Sequence, residues 1–290
     1  MSRPPSPPSR GWRGDLSLQY TRVDGRTRAF DTHHGPLRVL QALYPEGPGI
    51  CHHVVLHPPG GVVGGDELHL KAELGEGAHA LVTTPGATRF YRSEGAIAKQ
   101  TATLHLAAGA RLEWLPLETI AYPGCQAHNR VIAQLAPGAE LIGWDLLVLG
   151  LPSSGQDFQT GAAAPGGWFQ QHLELPGLWL ERGRIQASDD VLLNSPLGWA
   201  GQRVLATLWF ATGEPLQAAR RDDLLDRARA LAQAHPLART AGTTAPQAQV
   251  LVLRVLAPGV EPALELLRQV RATWRQTAWG LTAVQPRVWQ

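Results

Sequence analysis

The sequence predicts a mainly β fold of many short strands in layers, with two α-helices confined to the C-terminal third. Three observations carry this. Apolar and polar residues alternate with a period of two through several segments before residue 210. A Gly-Ala turn recurs at Gly77, Gly109 and Gly138, 32 and then 29 residues apart. A recurrence in the range of roughly 20–50 residues suits coils stacked as a β-helix or solenoid, and a sandwich whose hairpins share turn chemistry fits it equally. After residue 210 the apolar period lengthens toward that of a helix.

In chain order, residues 1–14 are rich in Pro, Ser and Arg and lack the apolar stretch of a signal peptide, so a disordered leader is expected there, with a single domain over 15–290. Within that domain, 15–210 reads as a β-rich body and 211–290 as helix, strand, helix. Leu16, Leu18 and Tyr20 alternate with polar residues, and Asp24-Gly25 supplies a hairpin turn before Thr27 to Phe30. Leu37 to Tyr44 and Cys51 to Leu56 read as strands. The echoing coils follow. Residues 150–168 read as a long loop, and strands are expected again at Trp179 to Ile185, Val191 to Leu193 and Arg203 to Phe210, the last apolar enough to be buried on both faces. Glu214-Pro215 is expected to open a helix with Leu216, Leu224, Leu225, Ala228 and Leu231 inward and Arg220 solvated. Val250 to Leu256 is a strand, and Pro262 opens a second helix striped by Leu264, Leu267, Val270 and Trp274.

Composition narrows the class. With 290 residues and 44% hydrophobic content the chain can bury a full core. A net charge of +2 without a basic stripe argues against nucleic acid, and no run reaches the roughly 18 apolar residues of a spanning helix. A cytoplasmic location is expected, and two cysteines, Cys51 and Cys125, suit a reducing compartment. Only 17% of residues are charged, which hints at surface covered by partner proteins.

Candidate chemistry starts at Pro58-Pro59-Gly60-Gly61-Val62-Val63-Gly64-Gly65-Asp66. Paired glycines can form an anion nest, but Asp66 stands where phosphate would sit and a strand follows instead of a helix, so a phosphate loop is excluded. A hairpin corner is the structural alternative. Cys51, His53 and His57 share a strand face and carry metal-ligating atoms, while His52 points the other way. Ser153-Ser154-Gly155 lacks the elbow of a serine hydrolase. Asp66, Glu118 and Asp145 could serve as acid and base, or satisfy turn amides.

Four blocks in order resemble one family: Pro59-Gly60-Gly61-x-x-Gly64-Gly65-Asp66 with Thr83-Thr84-x-x-Ala87-x-Arg89-x-Tyr91, then Leu112 to Glu118, Glu140 to Phe158, and Pro286-Arg287-Val288-Trp289. The chain is similar to the urease accessory protein UreD, also called UreH. The resemblance implies a non-enzymatic scaffold with no catalytic residue. It implies partnership with UreF, through UreF with the GTPase UreG, and with apo-urease, in a larger complex holding two copies. It also implies nickel in transit through a β-rich body, with no tightly bound cofactor. Asp66 and Asp145 carry over as polar groups of that route, with Glu118, Glu140, Thr83, Thr84, Arg89 and Tyr91 as further candidates. One departure stands out: Gly150-Leu151 and Gly155-Gln156 replace a Gly-Arg and a Gly-Glu, so a cation and an anion are both missing while Phe158 is kept. The rival reading is a stand-alone β-solenoid hydrolase or carbohydrate-binding protein, motivated by the echo and ten tryptophans.

Overall fold

The Gly-Ala echo is the seam of a β-solenoid of about three turns. The computed structural model describes residues 11–151, 154–161 and 166–289. The strands are β1 (Arg13–Val23), β2 (Arg26–His34), β3 (Arg38–Val39), β4 (Ile50–Leu56), β5 (Glu67–Leu74), β6 (His79–Thr83), β7 (Thr88–Phe90), β8 (Ala98–Leu106), β9 (Arg111–Leu115), β10 (Thr119–Ala121), β11 (Gln126–Leu135), β12 (Glu140–Leu151), β13 (Gln156–Asp157), β14 (Trp168–Leu175) and β15 (Trp179–Gln186). Then come α1 (Asp190–Asn194), β16 (Val204–Thr212), α2 (Ala218–Ala234), β17 (Ala241–Gln247), β18 (Val250–Ala257) and α3 (Val260–Trp279).

Each coil runs strand, Gly-Ala turn, strand, short strand. β5, β8, β11 and β14 stack in parallel in a seven-stranded sheet ordered β15-β14-β11-β8-β5-β1-β2. β4, β6, β9 and β12 stack in parallel in the second sheet, which continues through β16, β18 and β17. The spacing of the echo is the register itself: Glu67 pairs with Lys99, 32 residues on, and Ala98 with Ala127, 29 residues on. At the seam Gly77, Gly109 and Gly138 have φ of +63°, +65° and +75°, and Ala78, Ala110 and Ala139 behind them are fully enclosed. A Cβ at Gly138 would meet the Gly109 nitrogen at an ordinary 3.5 Å, so it is the left-handed torsion of the stacked turns that calls for glycine.

Two apolar cores share the second sheet. One fills the space between the two sheets; the other lies between the second sheet and α2 and α3. β16 sends Trp209 to the first and Leu208 and Phe210 to the second, the two-faced burial its sequence predicts. The first hairpin also stands as read, with positive φ at Asp24 and Gly25 matching the twist of β1 and β2.

Several elements depart from expectation. Residues 1–10 of the expected leader lie outside the described residues, and β1 already begins at Arg13. Leu37 to Tyr44 yields only β3 and an isolated pairing of Leu43 with His52, because Pro36 and the breaker at Pro45 leave no length for a ladder. Val191 to Leu193 is helical in α1, where the Asp189 carboxylate accepts from Leu192 N at 2.9 Å. α2 begins at Ala218, so Glu214 to Gln217 precede it, and Arg220 is no solvated side chain: its Nη1 lies 2.6 Å from Glu140 Oε1.

Candidate functional site

Strand alternation sends every second residue into the solenoid, and the interior is not filled. Between the sheets lies a cavity of about 480 Å³. Its walls are mostly apolar, from Val55, Leu68, Leu70, Val82, Trp114 and Val131. The polar exceptions are Asp145, Asn129, Gln100, Arg89, His57 and the threonines Thr83, Thr84, Thr88, Thr101 and Thr119, with Gly60 also on the lining. Asp145 projects from β12, one register pair before Leu146 meets Ala206. Burial pushes its carboxyl up from 3.8 to about 6, against the opposing help of the neighbouring Gln171 carboxamide. Asn129 Nδ2 donates to Asp145 Oδ2 at 3.3 Å, and Gln100 Nε2 donates to Asn129 Oδ1 at 3.3 Å.

Thr83 and Thr84 line the cavity while tying coils together. Thr83 Oγ1 donates to Leu115 O at 2.6 Å and accepts from Trp289 Nε1 at 2.9 Å, so the terminal Pro-Arg-Val-Trp block is anchored on the Thr-Thr block. Thr84 Oγ1 accepts from Leu117 N at 2.9 Å and donates to Gly86 O at 3.0 Å. Arg89 is exposed on β7 and has no side-chain partner among the described residues.

The glycine block is a packed corner. A methyl at Gly61 would come within 2.1 Å of the Tyr91 ring, and one at Gly64 within 2.7 Å of Ala96 O. Gly60 and Gly65 take φ of +76° and +94°. Tyr91 in turn packs its ring 5.0 Å from Tyr122. Asp66 closes the corner: Oδ1 accepts from Trp12 N at 2.8 Å and Oδ2 from Val63 N at 3.0 Å. It does not line the cavity. Asp66→Ala should therefore cost about 1–2 kcal/mol, because two backbone donors lose their acceptor. Urea denaturation measures this, and a variant as stable as the parent would show that the corner needs no carboxylate.

The other candidates lie apart. Glu118 is half-buried beside cavity-lining Thr119, and its carbonyl accepts from Thr88 N at 2.9 Å. Glu140 is on the far face of its sheet, held by Arg220 and by Trp279 Nε1 at 2.5 Å. Cys51, His53 and His57 share a face, yet the strand spreads the outer two by roughly 20 Å. His53 Nδ1 instead meets Tyr20 Oη at 2.8 Å, and burial pushes the Cys51 thiol up to about 11, away from a ligating thiolate. Among the described residues, no three His, Cys, Asp or Glu side chains lie together as a metal-binding group. Across the departure noted above, Arg203 Nε reaches Asp157 Oδ2 at 2.8 Å, so an ion pair still ties this loop while Gln156 is exposed.

Sequence reasoning missed two constellations. Glu113 on β9, fully buried, accepts from Arg271 Nε at 2.6 Å, with Arg275 Nη1 at 3.2 Å. Arg275 also pairs with Glu46, whose other oxygen lies 2.7 Å from His52 Nε2. The second is the carboxamide row of Gln100, Asn129 and Gln171, which occupy matched positions on β8, β11 and β14. The 29-residue echo carried the first pair of that row; nothing local marked it as inward.

The family model for the UreD urease accessory protein matches residues 13–290. The chain belongs to the UreD family. Curated relatives named urease accessory protein UreD agree over nearly the whole length. The protein of Leptothrix cholodnii is 57% identical over 281 residues, covering 96% of this chain and 99% of the relative. That of Verminephrobacter eiseniae is 58% identical over 278 residues, with the same coverage, and that of Paracidovorax citrulli is 57% identical. Within this UreD-family chain the motif blocks thus serve two ends: Gly61, Gly64 and Asp66 build the corner, and Thr83, Thr84 and Asp145 face the cavity. No helix among the described residues is long and apolar enough to cross a membrane.

Proposed function

We propose that this chain is a urease maturation factor, a non-catalytic scaffold that works with UreF and, through it, UreG to deliver nickel to apo-urease. Family membership supports the role in maturation. The observation that carries the nickel step is the interior cavity with one carboxylate, Asp145, at its polar floor. A lone oxygen donor among amides and hydroxyls holds a divalent ion weakly, as cargo in transit requires. The carboxylates that could have formed an acid and base pair lie apart: Asp66 caps a corner, Glu118 is half-buried and off the cavity lining, and Asp145 faces the cavity. That dispersal favours a scaffold over a hydrolase.

Omission tests the reading. Cells producing the urease subunits, UreF and UreG should gain nickel-dependent urease activity when this chain is added. Equal activity with and without it would end the proposal.

A further inference from the structure

Four polar side chains meet at one level of the solenoid interior. Gln100, Asn129 and Gln171 stand side by side on adjacent parallel strands, and Asp145 lies against Asn129 and Gln171 from the opposite sheet. Gln171, next to Asn129 but not itself on the cavity lining, has both carboxamide atoms enclosed without a hydrogen-bond partner among the described residues. So does the indole N–H of Trp114, a cavity-lining residue only 7% exposed. Enclosed polar groups left unpaired by protein are costly unless something polar and small meets them.

The donor set decides what that is. Around Asp145 the floor offers one carboxylate and neutral amides; the single imidazole on the lining, His57, lies toward the Asp66 corner, Arg89 adds only a cation, and the lining has no thiolate and no second carboxylate. A small divalent ion gives up its water reluctantly, and one carboxylate with weak amide oxygens is a poor exchange for six water oxygens. Space is not limiting: six waters at about 30 Å³ each occupy roughly 180 Å³. The cavity holds about 480 Å³.

Resting on the transfer role above, we propose that the ion occupies this cavity as its hydrated complex, bound through its waters. The coordinated waters donate to the Asp145 carboxylate and to amide oxygens, and no protein atom touches the metal. A site of this kind reads charge and size and ignores ligand softness, so it does not rank divalent metals by coordination preference. Selection for nickel then belongs to another component of the assembly.

The probe is hexaamminecobalt(III), an exchange-inert cation with six ammonia ligands that can bind only through its outer sphere. Calorimetric titrations use the purified complex containing this chain, with the Asp145→Asn variant beside it. Ni²⁺ and Mg²⁺ should bind an Asp145-dependent site with Kd values within about threefold of each other. Hexaamminecobalt(III) should displace both, and Asp145→Asn should weaken binding at least about tenfold. Nickel that the probe does not displace, or a preference over Mg²⁺ of about a hundredfold, would overturn the proposal in favour of direct coordination. Absence of any Asp145-dependent binding would overturn it too. If the chain supports urease activation in cells while the probe fails to compete, the hydrated form alone falls and the transfer role stands.

Discussion

Glu113→Ala is expected to destabilise the protein by about 3–5 kcal/mol, since it strands buried guanidinium groups without their anion. Glu113 is 0% exposed, and Arg271 and Arg275 are 1% and 0% exposed, so water cannot take over. For a chain of this size the thermal midpoint should fall by on the order of 10 °C. The loss reflects an uncompensated charge, which predicts its own remedy. Glu113→Leu combined with Arg271→Met removes the charges together, leaves Arg275 with Glu46, and should recover most of the stability. Chemical denaturation of the soluble chain checks both. If Glu113→Ala stays within about 0.5 kcal/mol of the parent, the network does not hold α3 to the sheet.

Asp145→Asn should do the opposite to stability while harming transfer. The carboxyl pKa is raised from 3.8 to about 6 in the fold. A raised carboxyl means that the folded state binds the proton more tightly than the unfolded chain. The penalty for ionising it is therefore absent near pH 4, grows through pH 4–6 and is fully present above that window. A rise of about two pKa units corresponds to roughly 3 kcal/mol at most. Asn keeps an oxygen for Asn129 Nδ2 and removes the charge. The variant should thus be more stable than the parent at pH 8 by about 2–3 kcal/mol, with the gap closing toward pH 4. Denaturation midpoints at the two pH values measure it. A variant less stable at pH 8 would make Asp145 a structural acceptor like Asp66. A stabilising substitution that costs activity is the mark of a group kept for function.

How far the sequence could be read follows from how local each feature is. The coil register was legible because a solenoid repeats one local unit, so Gly77, Gly109 and Gly138 carry the spacing of the strands they join. The packed corner at Gly61 and Gly64 was legible as a turn, but its partners Tyr91 and Ser93 lie on the next coil, which no local pattern announces. Asp66 and Asp145 looked alike as carboxylates inside recognised blocks. What separates them is where the strand face points: Asp66 turns back onto backbone amides, and Asp145 points inward among amides. The Glu113 network was illegible for a different reason. Glu113 and Arg271 are 158 residues apart, and arginines on a helix read as solvated until the opposite face of a sheet closes on them. Val191 to Leu193 misled because three apolar residues fit a strand, while the deciding Asp189 cap lies outside that run.

Nickel per active site in urease, matured in cells by the parent chain, by Asp145→Asn or by Asp66→Ala, tests the transfer role most directly. The account predicts that Asp145→Asn still assembles with UreF and UreG, yet yields urease with nickel reduced at least about tenfold. Asp66→Ala should lower nickel only in proportion to lost soluble chain. Urease carrying its full nickel after maturation by a well-assembled Asp145→Asn chain would contradict the account.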